Sequence, residues 1–259
     1  MKNILAIFTK EFRSYFVSPI AYVIFCVFLI LTGYFFYMFL TQFMFMCLKA
    51  MQYAQYYGEQ PVMNINEQVI RPLFGNISII VLFVLPMMTM RLYAEEKKMG
   101  TIELLMTSPV TNTQAILGKY LASLALYTIM LGLTFSHQLI LIIFGQPELA
   151  PILTGYLGLF LMGATFLAFG LLVSSFTDNQ VVAGFVSFGL FLFLWVIGWA
   201  EKVAGPVFGK FLSFICVVNH YQDFGKGVID TGDVVFYLTC IFLALFLTER
   251  ALEAQRWRQ

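Results

Sequence analysis

Apolar residues run through this chain in long, nearly unbroken blocks, with the polar positions gathered between the blocks rather than alternating with them. Six blocks predict membrane spans over 20–39, 73–89, 120–143, 154–173, 181–200 and 233–248. No Lys, Arg, Asp or Glu falls between positions 20 and 48, from Leu73 to Met90, or from Tyr120 to Pro147. Residues 149–177 and 179–200 are parted only by Asp178, which fits a tight turn between two spans. At about 1.5 Å of rise per residue, roughly 20 residues cross the hydrocarbon core. Barrel strands would alternate with a period of two, and these runs do not. Helices satisfy their own backbone groups in lipid, so the pattern predicts an all-α polytopic membrane protein, a bundle of six transmembrane helices.

The beginning of the chain is patterned differently. Ile4, Leu5, Phe8, Phe12, Tyr15 and Phe16 recur at helical spacing, while Lys2, Thr9, Lys10 and Arg13 occupy much of the other side. That predicts an interfacial amphipathic helix over 1–18, broken by Ser18-Pro19 as the chain turns into the first span. Three cations ahead of an apolar run superficially suggest a signal peptide, but the run is too long and no small-x-small cleavage site follows it. Between the spans, 40–72 reads as a polar external segment with a helix around Ile65–Ile70, and Gln146-Pro147 as a short external turn. The stretch 201–232 mixes Gly205-Pro206, an apolar patch from Phe208 to Val218 and a polar tail. It reads either as a broken helix pair tucked into the outer leaflet or as an exposed amphipathic loop; the tucked-in form is the expectation.

Composition narrows the function classes. Of 259 residues, 60% are apolar and 11% charged, against about 25% charged in a soluble domain. Disorder is excluded and an ordinary soluble enzyme is disfavoured. A net charge of +1 gives no global attraction to nucleic acid. With both termini inside, Lys2, Lys10, Arg13, Arg91, Lys97, Lys98, Lys119, Arg250, Arg256 and Arg258 lie on the cytoplasmic side. Lys49, Arg71, Lys202, Lys210 and Lys226 lie outside, and this ten-to-five bias favours that orientation. Four scattered cysteines, Cys26, Cys47, Cys216 and Cys240, form no CxxC pair.

Catalytic and metal-binding patterns are missing from the sequence. His137 and His220 have no Cys, Asp or Glu at ligand spacing apart from Asp223 three residues after His220, and there is no GxSxG, HExxH or GxxxxGKS. No carboxylate or basic residue lies deep in a span, where ion-coupled transporters commonly place one. His137 sits mid-span and reads first as a packing residue or a polar contact between helices. The most informative polar stretch is 91–119, RLYAEEKKMGTIELLMTSPVTNTQAILGK. Glu95, Glu96, Lys97 and Lys98 solvate a helix leaving the second span, and Gly100 permits a break. Thr101 is placed to cap a short helix carrying Ile102, Leu104 and Leu105, with Glu103 in its first turn. Ser108-Pro109 closes that element ahead of a cap-like Thr113. Such a helix suits a groove on another protein, or equally a membrane-surface loop that buries Leu104 and Leu105.

The run EEKKMGTIELLMTSPVTNTQAILGKYLA resembles the signature region of type 2 ATP-binding-cassette transporter permeases. The likeness extends over KEFRSYFVSPIAYV, SSFTDNQVVAG and HYQDFGKGVIDTGDVVFYL, the last resembling the gliding-motility-associated branch. The resemblance implies a single transmembrane permease domain over 1–259 with an elbow helix at 1–18, a coupling region at 91–119 and an external segment at 201–232. It places Glu95, Glu96, Gly100, Thr101, Glu103, Leu104, Leu105, Ser108 and Pro109 in contact with, or in support of, an ATPase, with Lys10, Glu11 and Arg13 of the elbow nearby. None of these is catalytic: ATP and Mg belong on separate nucleotide-binding subunits, and no cofactor is expected on this chain. Implied partners are those ATPase subunits, a second copy or a related permease, membrane lipids and an auxiliary extracytoplasmic protein, with no nucleic acid. The implied setting is the bacterial cytoplasmic (inner) membrane, and the implied function is ATP-driven transport, in the export direction. The alternative is a membrane scaffold for ATPase-linked surface or gliding machinery that moves no cargo.

Overall fold

Each apolar block is a helix in the computed structural model, which describes residues 2–58, 63–103, 110–202 and 205–256. The helices are α1 (Lys2–Val17), α2 (Pro19–Tyr57), α3 (Arg71–Thr89), α4 (Ala94–Lys98), α5 (Asn112–Gly145), α6 (Leu149–Phe176), α7 (Gln180–Val196), α8 (Pro206–Ile215), α9 (Val217–Phe224) and α10 (Thr231–Arg256). A π-helical turn, Asn66–Ile70, leads into α3, and a 3-10 turn, Ile197–Lys202, follows α7. Six helical stretches are long and apolar enough to span a membrane, and no strand occurs among the described residues. The protein is therefore an all-α polytopic membrane protein.

The first span differs from the expected one in length. Instead of ending near position 39, α2 runs for 39 residues to Tyr57, about 58 Å at 1.5 Å per residue, against roughly 30 Å of hydrocarbon. No proline or glycine falls between Gly33 and Gly58, and Met, Leu, Gln, Lys and Ala are good helix formers, so nothing stops propagation. Gly58 ends the helix at φ +75°. The expected helix around Ile65–Ile70 is the π-turn that lengthens the second span.

Helix α6 is the hub. Its small residues face the chain's own neighbours: Gly155 lies against Phe74 of α3, Gly163 against Tyr127 of α5, Gly170 against Thr89 of α3, and Gly158 against Phe224 of α9. Close contact of this kind replaces the hydrophobic drive that is missing between helices in lipid. Two buried tyrosines reinforce it: the Tyr127 hydroxyl donates to Leu159 O at 2.7 Å and that of Tyr120 to Ala164 O at 3.2 Å. The aromatic residues of α7 divide between two faces. Phe191 stacks on Phe166 at 4.6 Å, whereas Phe185 and Phe193 face outward, as does Trp199 in the following 3-10 turn.

Within the 201–232 stretch, residues 206–224 form a helix pair broken at Cys216. Val217, Tyr221 and Phe224 of α9 are buried in the bundle, while Phe208, Phe211 and Phe214 of α8 turn outward. Thr154 of α6 donates to Phe224 O at 2.7 Å, and Tyr237 of α10 donates to Val217 O at 2.8 Å. His220 pairs with Asp233, at 2.6 Å from Nδ1, and not with nearby Asp223, which holds Lys226. Its Nε2 lies 2.8 Å from Phe214 O, and the ring stacks on Phe236. The carbonyls of Phe214, Val217 and Phe224 are thus each met by a side chain.

Two outcomes test these contacts. Gly163→Ala would put its methyl 2.2 Å from the Tyr127 ring, which the Leu159 bond holds in place. We expect a loss of about 1–3 kcal/mol, read as a lower thermal midpoint in detergent, with Gly189→Ala, which has open space at its Cβ, as the neutral control. Asp233→Asn removes the charge from the His220 pair. In a chain whose other cysteines are serine, it should speed maleimide labelling of buried Cys216 several-fold, since a hydrogen bond to a charged group contributes about 1.5–3 kcal/mol.

Candidate functional site

The segment between α3 and α5 is fastened to the end of the hub helix. After Thr89 the chain turns tightly, and the amides of Tyr93 and Ala94, which open α4, donate to Ser174 Oγ at 3.0 and 3.1 Å. The Lys97 ammonium donates to Ser175 O, which also accepts from Gln255 Nε2 of α10 at 2.9 Å. A side chain of α6 thereby satisfies orphan amides at the start of α4, and side chains of α4 and α10 satisfy an orphan carbonyl at the end of α6. At its other end α4 closes in a Schellman cap: Gly100 sits at φ +69°, Thr101 N bonds Glu96 O at 3.0 Å, and Gly100 N bonds Lys97 O at 3.1 Å. Thr101 is thus first part of the cap that ends α4, its hydroxyl also reaching Glu96 O at 3.3 Å. Ile102 and Glu103 begin a new helical turn directly after it. Ile102 is buried in a small recess with Tyr93, Ala115 and Leu252, and Glu103 is exposed. Leu104, Leu105, Ser108 and Pro109 lie outside the described residues. The cap of α5 is Thr111 rather than Thr113. Thr111 Oγ1 accepts from Gln114 N, the Gln114 side chain reaches back to Thr111 N, and Thr113 instead bonds Glu249 of α10.

Beside this segment sits a four-charge cluster. The Lys119 ammonium, 1% exposed, lies 3.0 Å from Glu11 of α1 and 2.8 Å from Glu96 of α4. Lys10 closes the ring at 3.3 Å from each carboxylate. The Tyr93 ring covers Lys119, its centroid 5.2 Å away. Burial disfavours the Lys10 ammonium, but Glu11 and Glu96 outweigh that and raise its pKa. Helix α1 reaches the cluster because it packs on α5 as well as presenting an outer face. Ile7 rests over Gly118, where any Cβ would come within 2.8 Å of it, and Asn3 bonds Gln114 at 3.1 Å. The inward stripe is Ile4, Ile7, Phe8, Glu11, Phe12, Tyr15 and Phe16, and Leu5 points out. Arg13 and Glu95 are not in the cluster. They line a cleft of about 680 Å³ between α1, α2 and α3.

Deep in the bundle the polar groups do not form a reactive set. His137 packs against Phe36 at 5.1 Å, and its Nδ1 is buried without a partner. Nearby, Thr134 meets the Tyr156 hydroxyl at 2.9 Å, and the Gln138 amide is buried and unpaired. No group of three His, Cys, Asp or Glu side chains that could hold a metal occurs among the described residues.

Of the residues singled out from sequence, the fold joins Lys10, Glu11 and Glu96, sets Gly100 and Thr101 at the cap that follows, and leaves Arg13, Glu95 and Glu103 at the margins. Sequence reasoning missed Lys119, Tyr93, Ser174, Ser175 and Gln255. Lys119 carried one usable signal, a lone cation in a helix that is otherwise charge-free as far as Gly145. Replacing it with Met strands two carboxylates, so Lys119→Met should destabilise the chain by about 3–5 kcal/mol, and adding Glu96→Gln should restore part of the lost thermal midpoint.

Comparison with known proteins places this architecture. A sequence model described as "ABC-2 family transporter protein" matches residues 5–248. The chain is also 28% identical over 144 residues to the "Probable multidrug ABC transporter permease YbhR" of Escherichia coli K12, and equally to the protein of the same name in E. coli O157:H7. Each match covers 52% of this chain but only 37% of the relative. With six spans, an elbow helix and a family match over nearly its whole length, the chain belongs to the ABC-2 family of transporter proteins.

Proposed function

We propose that this chain is the permease half of an ATP-driven exporter. Partner ATPase subunits engage the coupling region at 91–119, through Glu103 and the Leu104–Pro109 stretch, with the elbow alongside. ATP and Mg act on those subunits, and this chain is not an enzyme. The protein sits in the inner membrane with both termini cytoplasmic, the orientation favoured by the cation bias. A second copy or a related permease completes the pathway. One observation carries the reading: the segment an ATPase would push is tied by Ser174, Ser175 and the Lys119 cluster to α6, α1 and α5. A push on it moves packed helices rather than a free loop. The spans hold no charge at depth to bind a coupling ion, so the energy comes from outside the bundle. That interior suits amphipathic cargo, in keeping with the multidrug name of the E. coli relatives.

A second reading is a scaffold for ATPase-linked surface machinery. It follows from the likeness of HYQDFGKGVIDTGDVVFYL to the gliding-motility-associated branch, a stretch that forms the α9–α10 region.

Isolation of the native complex in mild detergent tests the coupling reading. Wild type should retain a nucleotide-binding ATPase, and Glu103→Arg should lose most of it while keeping its helical content. A folded wild-type chain that repeatedly copurifies without any ATPase would overturn it. ATPase-dependent assembly with no efflux of any amphipathic dye would favour the scaffold.

A further inference from the structure

The cleft between the elbow and the spans contains charge that the cluster does not use. Lys10, Lys119, Glu11 and Glu96 neutralise one another, two ammonium groups against two carboxylates. That leaves Arg13, Arg91 and Glu95 on the cleft wall. None of these three forms an ion pair among the described residues. Arg91 is half-buried where α3 turns into α4, and its Nε is shielded from solvent without a hydrogen-bond partner. A guanidinium nitrogen left so is costly unless a ligand supplies an acceptor. Lys10, Glu11 and Ser14 of α1, and Ser18 just after it, continue the polar side, and the facing side is apolar: Ile24 of α2 and Leu126 of α5 are buried in the bundle, while Val17 and Met87 are exposed and continue the wall outward.

We propose that this cleft binds the phosphate headgroup of an anionic phospholipid, with Arg91 and Arg13 on the phosphate and an acyl chain along Val17 and Met87. Arginine forks match phosphate oxygens in pairs, and basic pockets between membrane helices are suited to anionic lipid headgroups. The site lies where an amphipathic helix meets the spans, which is the depth of the headgroups. Its volume of about 680 Å³ falls within the roughly 300–1,000 Å³ of small-molecule pockets. A free phosphate ion would answer the arginines but make no use of Val17 and Met87, so the bilayer lipid is the occupant. The bound lipid bridges α1 to α3 beside the cluster, whose Lys10 and Glu11 also line the cleft.

The test needs neither ATP nor an ATPase, so it stands or falls apart from the coupling reading. The full chain is reconstituted into nanodiscs of equal phosphatidylglycerol and phosphatidylcholine, re-extracted in mild detergent, and its retained lipids are counted by mass spectrometry. Wild type should retain phosphatidylglycerol above the bulk ratio. Arg91→Gln and Arg13→Gln should each cut that enrichment on the order of fivefold, and Lys98→Gln, an exposed cation outside the cleft, should leave it intact. Arg13 is exposed on α1, so its variant keeps the test informative if Arg91→Gln does not fold. Equal retention of the two lipids by wild type, or unchanged enrichment in a folded Arg13→Gln chain, would overturn the proposal. Displacement of the lipid by millimolar inorganic phosphate would identify a free-anion site and overturn it as well. Resistance to phosphate, with displacement by excess phosphatidylglycerol, supports it.

Discussion

The side-chain nitrogen of Lys119 is almost wholly removed from water, and two carboxylates from distant parts of the chain pair with it there. Glu11 comes from the elbow helix and Glu96 from the segment after the second span, so one buried cation fixes three elements relative to one another. A buried ion pair adds little net stability over an apolar replacement, but breaking one leaves a charge that cannot be solvated. The cluster therefore acts mainly through what it forbids. Helix α1 cannot slide along α5, and α4 cannot lift from either, without stranding a carboxylate or the ammonium. Gly118 makes the arrangement possible by letting the α1 backbone approach closely enough for Glu11 to reach Lys119.

From that anchor the connections run inward through α6. Ser174 and Ser175 hold the start and flank of α4 at one end of this helix. Thr154 and Gly158 hold the buried face of α9 at the other. Between them the helix is packed against α3 and α5 by glycines that admit Phe74, Tyr127 and Thr89. A 28-residue helix covers about 42 Å at 1.5 Å per residue, so α6 links the elbow face to the opposite face as one rigid rod. The last turns of α10 join the same body through Gln255 and Glu249.

What the sequence made legible follows from the range of each interaction. The six spans were readable because every residue in a span meets the same lipid-like surroundings, and exclusion of charge is a local signal. The Ser18-Pro19 break and the Gly100 break were local too, each set by one backbone preference. The length of α2 was misjudged because helix propagation beyond the membrane depends on the absence of a stop signal, whereas polarity suggested a loop. Thr113 was preferred to Thr111 as a cap although the Thr111–Gln114 spacing is that of a capping box; Thr113 instead answers to Glu249, 136 residues away. The cluster was half visible. Lys10, Glu11 and Glu96 were singled out, but nothing local joins them to Lys119, whose partners lie 108 residues away in Glu11 and on another helix in Glu96. The same holds for His220, for which sequence proximity offered Asp223 while the fold supplied Asp233.

The distribution of polar groups across the bundle separates an uncharged interior from a charged elbow face. Deep groups such as Thr134, Tyr156, Gln138 and His137 include no carboxylate, ammonium or guanidinium, and the Thr134 hydroxyl bonds Leu131 O and meets that of Tyr156. They order helices, but they have no fixed charge through which an ion gradient could act. Fixed charge is concentrated where α1, α4 and α5 meet, and there it is spent on holding elements together rather than on binding an ion. An interior without charge at depth and a charged, rigid attachment at one face are what support the proposal that the bundle is driven mechanically from that face. On that proposal the α8–α9 pair, tied to α6 and α10 by hydrogen bonds from Thr154 and Tyr237, is the element that such a movement reaches last.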